Sequence, residues 1–280
     1  MPVGSPRTLA AAVGLGPGDH GSWAYDDLPG LRSALVEYFR EGVARGEQLL
    51  YIGDGGRDAL LDDLADLPER DALLGRGQLD VHTSEELYLG GSFSPHLQVE
   101  VFHRRAEAAV QAGFPGLRVL GDITTLVADE ALTQHLVQYE LAVDTMYAAS
   151  PALALCAFDR RRVGARWRLV TVLHRLQHLA GYEPTFAVTV SPGVVHLVGE
   201  VDTSCAADLS RVLDAIDVST QGELVIDLLD LEFIDIAATR VLALFQRRLI
   251  ARGRAIHFAG VGPAAVNTLR AFALNGELLS

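Results

Sequence analysis

LVIDLLDLEFIDIAATRVLALFQRRL, residues 224 to 249, decides how the C-terminal part of the chain folds. Leu224, Val225, Ile226 and Leu228 form an apolar, β-branched run that predicts a buried strand, and Phe233 with Ile234 adds a second short extended piece. Asp235 then stands where a helix N-cap belongs, because its carboxylate can accept the free amides of a first turn. Beyond it Ala238, Val241, Leu242, Phe245 and Leu249 recur at three- and four-residue spacing, while Arg240, Arg247 and Arg248 fall on the other side. That pattern predicts an amphipathic helix with one face on a sheet and the other toward solvent or a partner.

The strand, the Phe-Ile-Asp triplet and the helix start resemble the STAS domain of anti-sigma factor antagonists. Gly199, Glu200, Val201 and Asp202, followed by Thr203, Ser204 and Ala206, are similar to the family's Gly-Glu-(Leu or Val)-Asp segment before its first helix. The resemblance covers residues 184 to 280 and implies a small α/β domain. It also implies that the loop at Asp202 and Thr203 and the helix start at Asp235, Ile236, Ala237, Ala238, Thr239 and Arg240 form the face that binds an anti-sigma factor, including one of the kinase type. The family's Asp-Ser-Ser-Gly reads Asp-Ile-Ala-Ala here, so Ala237 stands at the phosphorylated position and has no hydroxyl. A phosphate there would add about −1.5 to −2 charge and repel the partner. This copy is therefore expected to escape that control. Thr239 is an alternative acceptor, but it lies two residues on, about 200° around the helix.

Composition narrows the function. The chain has 280 residues, enough for two domains, and is 49% hydrophobic, enough for two cores. Its net charge of −13 divides as −9 over residues 1 to 183 and −4 over 184 to 280, with no basic stripe, so nucleic-acid binding is not expected. All 23 basic residues are arginine. Without lysine, neither a Walker A phosphate loop nor a Schiff-base enzyme can be built in the usual way. Cys156 and Cys205 read as free thiols of an intracellular protein. The apolar stretch at residues 8 to 15 is too short for a signal peptide, and no run approaches about 18 apolar residues, so a cytoplasmic location without a membrane span is expected.

Residues 1 to 180 alternate helix-like and strand-like pieces. Leu31, Leu35, Tyr38, Phe39 and Val43 make one helical face, and Gln48 to Ile52 a buried strand. Helical patterns around 57–66, 97–112, 128–146 and 166–179 are separated by apolar runs at 79–81, 117–120 and 152–158. The alternation predicts a mostly parallel sheet with helices on both faces. Ligands of such sheets bind beyond the carboxyl ends of the strands. Those ends read as His20, Tyr25, Asp54, His82, Asp122, Asp159 and Arg160 to Arg162, a polar rim of both signs. Singly, each has a structural reading, such as a turn cap for Asp54 and Asp122 or a surface histidine for His20. Together they read as a pocket lip.

This half resembles the MEDS sensory domain of bacterial and archaeal regulators, through GDHGSWAYDD, ARGEQLLYI, GFPGLRVLGDITTL and LALCAFDRRR, spread over residues 18 to 162. The family looks like a RecA or KaiC type ATPase domain that lacks the phosphate loop. The resemblance implies sensing of a small molecule, with matching positions at His20, Tyr25, Arg118, Gly121, Asp122, Tyr139, Glu140, Cys156, Asp159 and Arg161. Thr124 and Thr125 stand where family members often carry Trp, which implies a smaller, more polar pocket wall.

Other constellations have structural readings. His174 and His178 lie one helical turn apart in LHRLQH, but no metalloprotease base accompanies them, and no metal or cofactor is expected. The arginines at 160 to 162, 166 and 168 could grip a phosphate or carboxylate, or could pair with Asp62, Asp63 and Asp66. Thr203 or Ser204 reads as the cap of the helix bearing Leu209, Val212 and Leu213, not as a nucleophile. The chain is thus read as a regulator with a sensor in residues 1 to 180 and a STAS output domain in 184 to 280, rather than as an enzyme. Rival readings are a degenerate nucleotide-binding ATPase using Asp122 or Glu140, and a structural homo-oligomer of STAS domains.

Overall fold

A computed structural model describes residues 6–89, 93–183, 185–191, 193–219, 222–272 and 274. The boundary expected at residue 184 and the last residues, 275 to 280, lie outside the described residues. The chain forms two compact units: one comprises Thr8–Trp167 and Leu176–Tyr182, the other Met1–Arg7, Arg168–Arg175 and Glu183–Ser280.

The first unit follows β1 (Arg7–Thr8), whose Arg7 is grouped with the second unit, then β2 (His20–Tyr25), α1 (Leu28–Ala44), β3 (Gln48–Gly53), α2 (Arg57–Asp63), α3 (Arg70–Gly75) and β4 (Leu79–Thr83). Then come α4 (Pro95–Gln111), β5 (Leu117–Asp122), α5 (Thr124–Ala128), α6 (Thr133–Ala148), β6 (Ala152–Asp159) and α7 (Arg160–Val163). The chain next passes through α8 (Trp167–Val172), which belongs with the second unit from Arg168 on, and returns as β7 (Leu176–His178). The seven strands are ordered β1-β7-β2-β6-β5-β3-β4, parallel in every pairing from β7 to β4. Parallel sheets flanked by helices bury both faces, and β2 and β6 are buried at every position. Four of the residues expected to form the face of α1, Leu31, Leu35, Tyr38 and Phe39, are buried. Arg118 on β5 is fully buried, 3.3 Å from Glu41, bonded at 2.5 Å to Glu47, and 4.5 Å over the Tyr38 ring. Its charge is tolerable inside only because two carboxylates and a ring face surround it.

The helix expected over 166–179 is corrected. α8 ends at Val172, and Leu176–His178 is extended because it pairs with Gly21–Trp23 of β2. His174 and His178 therefore do not form a helical chelate. His174 Nδ1 lies 2.9 Å from the Val170 carbonyl, whereas His178 stacks on Trp23 with ring centres 3.7 Å apart.

The second unit holds β8 (Phe186–Ser191), β9 (Val194–Val201), α9 (Ala206–Ser219), β10 (Leu224–Asp227), β11 (Leu231–Ile234), α10 (Ile236–Ala251), β12 (Ile256–Ala259) and α11 (Pro263–Ala271). Strand β9 organises the sheet. It pairs antiparallel with β8 and parallel with two others, with β10 through Val194–His196 and with β11 through Gly199–Val201. β12 completes the sheet beside β10. Ala238, Leu242, Phe245 and Leu249 are buried, as the helical spacing of α10 predicts, and α10 packs beside α9. No helix among the described residues is long and apolar enough to cross a membrane.

Gly199 sits where β9 meets both β8 and β11. Its φ is +88°, and a Cβ there would overlap the Thr185 carbonyl oxygen. Gly199→Ala combines left-handed strain with a backbone clash, so it should cost at least about 2 kcal/mol. Urea unfolding followed by the far-ultraviolet signal checks this, and a variant as stable as the wild type contradicts the strain.

Candidate functional site

In the second unit, one carboxylate joins the two motifs of the sequence. Asp235 Oδ1 accepts the Ala238 amide at 2.8 Å and so caps α10. Its Oδ2 accepts the Thr203 amide at 2.8 Å and the Thr203 hydroxyl at 2.6 Å. In the next turn, Asp202 Oδ1 accepts the Ser204 amide at 2.8 Å and its hydroxyl at 2.7 Å. The Thr203 and Ser204 hydroxyls thus donate to aspartates, which corrects the expectation that one of them caps α9. Burial works against the Asp235 charge, but the bonds from Thr203, Ala238 and Ala237 hold its carboxyl below the usual range. Asp202 is lowered by its bonds from Ser204.

Around this clamp lies a groove lined by Thr203, Phe233, Ile234, Asp235, Ile236, Ala237, Arg240 and Thr268. Ile236 is 68% exposed and Phe233 47% exposed, so a large apolar pair faces solvent at the helix start. Asp202, Thr203 and Arg240 are exposed and Ala237 half-buried. Two expected docking residues are corrected: Ala238 and Thr239 are fully buried, since they fall on the sheet-facing side of the helix. The Thr239 hydroxyl donates to the Asp235 carbonyl at 2.8 Å, which leaves it poorly placed to accept a phosphate. Phe233 and Thr268 are additions that the sequence pattern does not single out. β11 is an edge strand whose register shifts between Leu231 and Phe233, and this turns the Phe233 ring outward.

In the first unit the expected rim divides. At the carboxyl ends of β2, β5 and β6, Tyr25 donates to Asp122 at 2.6 Å, the Thr124 amide donates to Asp122 at 2.9 Å, and the Asp159 amide donates to the Thr124 hydroxyl at 2.8 Å. Burial raises the Asp122 carboxyl despite these bonds, and burial with the neighbouring Asp122 raises the Tyr25 phenol. Thr124 and Thr125 take polar roles here, Thr125 donating to Asp54 at 2.5 Å. The arginines are paired, but not with the aspartates expected at 62, 63 and 66. Arg160 holds Asp26 through bonds of 2.8 and 2.7 Å, Arg161 binds Asp159 at 3.3 Å, and Arg162 binds Asp54 at 3.3 Å. Burial opposes the Asp159 charge, yet the bonds from Arg161 keep its carboxyl low. A ligand arriving at this rim would exchange ion pairs rather than fill free donors.

Three expected ligand-binding residues lie outside this cluster, although His82 does stand at the carboxyl end of its strand. His82, on edge strand β4, binds Asp80 at 2.7 Å and stands 3.2 Å from Arg105. His20 begins β2 instead of ending it, so it sits at the opposite end of that strand from Tyr25. Glu140 is buried on α6, next to His20.

The Asp235 clamp yields a test with a defined sign. A carboxyl lowered in the folded state contributes stability that is present above its unfolded value, near pH 4, and is lost as pH falls through the folded value. Asp235→Ala should cost about 1–2 kcal/mol at neutral pH and flatten the acid loss of stability below about pH 4. Thermal melts from pH 7 to pH 2.5 measure both effects. An unchanged acid slope would show that the clamp does not hold α10.

Comparison with known proteins follows the same division. Residues 19–175 match the model of the methanogen/methylotroph, DcmR sensory domain, MEDS, and residues 185–280 match that of the Mlab, STAS domain. No curated protein sequence is significantly similar to the chain. Among solved structures, an anti-sigma factor antagonist from Mycobacterium paratuberculosis is 26% identical over 34% of this chain and 83% of its own, with a TM-score of 0.30. The unphosphorylated anti-sigma factor antagonist SpoIIAA is 16% identical over 34% and 87%, with a TM-score of 0.28. A substituted form of Moorella thermoacetica RsbS is 22% identical over 33% and 80%, with a TM-score of 0.27. The chain belongs to the MEDS sensory-domain family and carries a STAS domain behind that sensor.

Proposed function

We propose that the protein is a signal-responsive anti-sigma factor antagonist. Its STAS domain would dock an anti-sigma factor on the face around Ile236, and the sensor would decide when docking occurs. The observation that carries this reading is the exposed pair Phe233 and Ile236 beside the Asp235 clamp, an apolar patch with a polar border of Thr203 and Arg240. A patch of that make-up suits a protein partner, whose binding energy concentrates in a few buried apolar anchors. Ala237 has no oxygen to phosphorylate, so a kinase-type partner could bind without switching itself off at that position. Regulation would then pass to the sensory domain, through a ligand that binds one conformational state more tightly than another.

The test is calorimetry of the full chain against each anti-sigma factor of its source organism. One should bind, with an affinity unchanged by ATP. Ile236→Asp should weaken that complex at least about tenfold, because it places a charge at an apolar anchor. Ala237→Ser should make a kinase-type partner's binding ATP-sensitive. Failure of every anti-sigma factor to bind, or full affinity in Ile236→Asp, would overturn the proposal.

A further inference from the structure

Inside the sensory unit, three residues far apart in sequence converge beneath the rim. His20 begins β2, Cys156 lies near the middle of β6, and Glu140 projects from α6. All three are buried. His20 Nε2 stands 3.3 Å from Cys156 Sγ and 3.4 Å from Glu140 Oε2, and Sγ to Oε2 is 3.9 Å. An imidazole nitrogen, a thiol sulfur and a carboxylate oxygen are the donor types that bind zinc-like cations. With bonds of about 2.0–2.3 Å and tetrahedral angles, donors on one such ion lie roughly 3.3–3.6 Å apart. The observed triangle is close to that size before any ion enters.

A second observation concerns the other side of the histidine. His20 Nδ1 lies 3.4 Å from Asp144 Oδ1, on the next turn of α6 after Glu140. In the tautomer with its proton on Nδ1, facing that carboxylate, Nε2 offers a lone pair toward Cys156 and Glu140. This is the arrangement that orients histidine ligands at metal centres. The Asp144 side chain is 26% exposed and connects the cluster to solvent, while buried Tyr88, Tyr139 and Tyr147 close the region around it. Burial and the neighbouring Glu140 push the Cys156 thiol well above its ordinary range.

We propose that His20, Glu140 and Cys156 form a transition-metal site of the zinc class in the sensory domain, with Asp144 orienting His20. On binding, Cys156 Sγ loses its proton to solvent and its lone pair forms the metal–sulfur bond; no redox step is involved. A metal so placed would give the sensor a Lewis-acidic centre beneath the strand ends, distinct from the ion-paired rim.

The experiment uses the full chain, stripped with a chelator and titrated with Co²⁺ or Zn²⁺ alone. Expected are about one ion per chain by mass spectrometry of the metal content and a thiolate-to-cobalt charge-transfer band in the near ultraviolet. Cys156→Ser should abolish the band and weaken binding at least tenfold. Asp144→Asn should weaken it by about 10–100-fold while keeping the band. Cys205→Ala, which removes the other thiol, should change neither. Should Cys156→Ser fail to fold by circular dichroism, the band of the wild type and of Cys205→Ala decides the matter. No bound ion, a band absent from the wild type, or a band that survives Cys156→Ser would overturn the site. None of these readings involves an anti-sigma factor, so the docking proposal stands or falls separately.

Discussion

The carboxylate of Asp235 is the constraint on which the output half depends. Its two oxygens face different segments, one capping α10 through Ala238 and the other gripping Thr203 in the turn after β9. A cap alone would fix where a helix begins. A cap that also binds a neighbouring loop fixes where two strand ends stand relative to each other, and so shapes the surface between them. Because the remaining polar groups of that turn are satisfied by Asp202, Phe233 and Ile236 can be left exposed without loosening the backbone beneath them. An exposed apolar side chain is useful for recognition only when its scaffold is rigid, since ordering it at the moment of binding would consume part of the affinity.

The sensory half rests on a different constraint, the burial of both faces of a parallel sheet. Every position of β2 and β6 is buried, so polar residues on these strands favour partners inside the protein, although the Ser22 hydroxyl has none. Near the carboxyl ends, Tyr25, Asp122, Thr124 and Asp159 satisfy one another. At the start of β2, His20 meets Glu140, Asp144 and Cys156 instead. The two clusters differ in chemistry. The first is closed by hydroxyls and arginines, whereas the second holds nitrogen, sulfur and carboxylate donors with the geometry of a coordination shell.

Much of this is legible in the residues, and the exceptions have physical reasons. Strand β6, ALALCAFD, reads as buried because continuous apolar residues of that length suit a central parallel strand, and the amphipathic spacing of α10 places its buried face correctly. The segment from 166 to 179 misleads because its leucines fit a helical period for longer than the helix lasts; pairing of Leu176–His178 with β2 overrides local preference. His20 reads as a rim residue only if it follows a strand; in the fold it begins β2, so the carboxyl end of that strand is Tyr25. The grouping of His20, Glu140 and Cys156 cannot be found by spacing at all, because only the order β2-β6 and the packing of α6 bring residues 136 positions apart into contact. Phe233 is legible as part of a strand, but its outward turn depends on a register shift that no periodicity encodes.

On the proposed reading, Ala237 shows why one absent oxygen would bear on the whole molecule. A helix N-terminus favours negative charge, so a phosphate on the first turn of α10 would not destabilise the helix itself. It would lie in the groove beside Ile236, Phe233 and the clamped Asp235, where it would hydrate an apolar patch and crowd an existing carboxylate. The damage would therefore fall on docking rather than on folding, which is what makes such a position suitable for a switch. If this face docks a partner as proposed, alanine there removes a switch of charge at that residue, and control from the sensor would act through geometry. A conformational difference large enough to matter needs differential binding energy, about 5.5 kcal/mol to invert a 1:99 equilibrium. Exchange of a partly exposed ion pair such as Arg160–Asp26 is too weak to supply it alone.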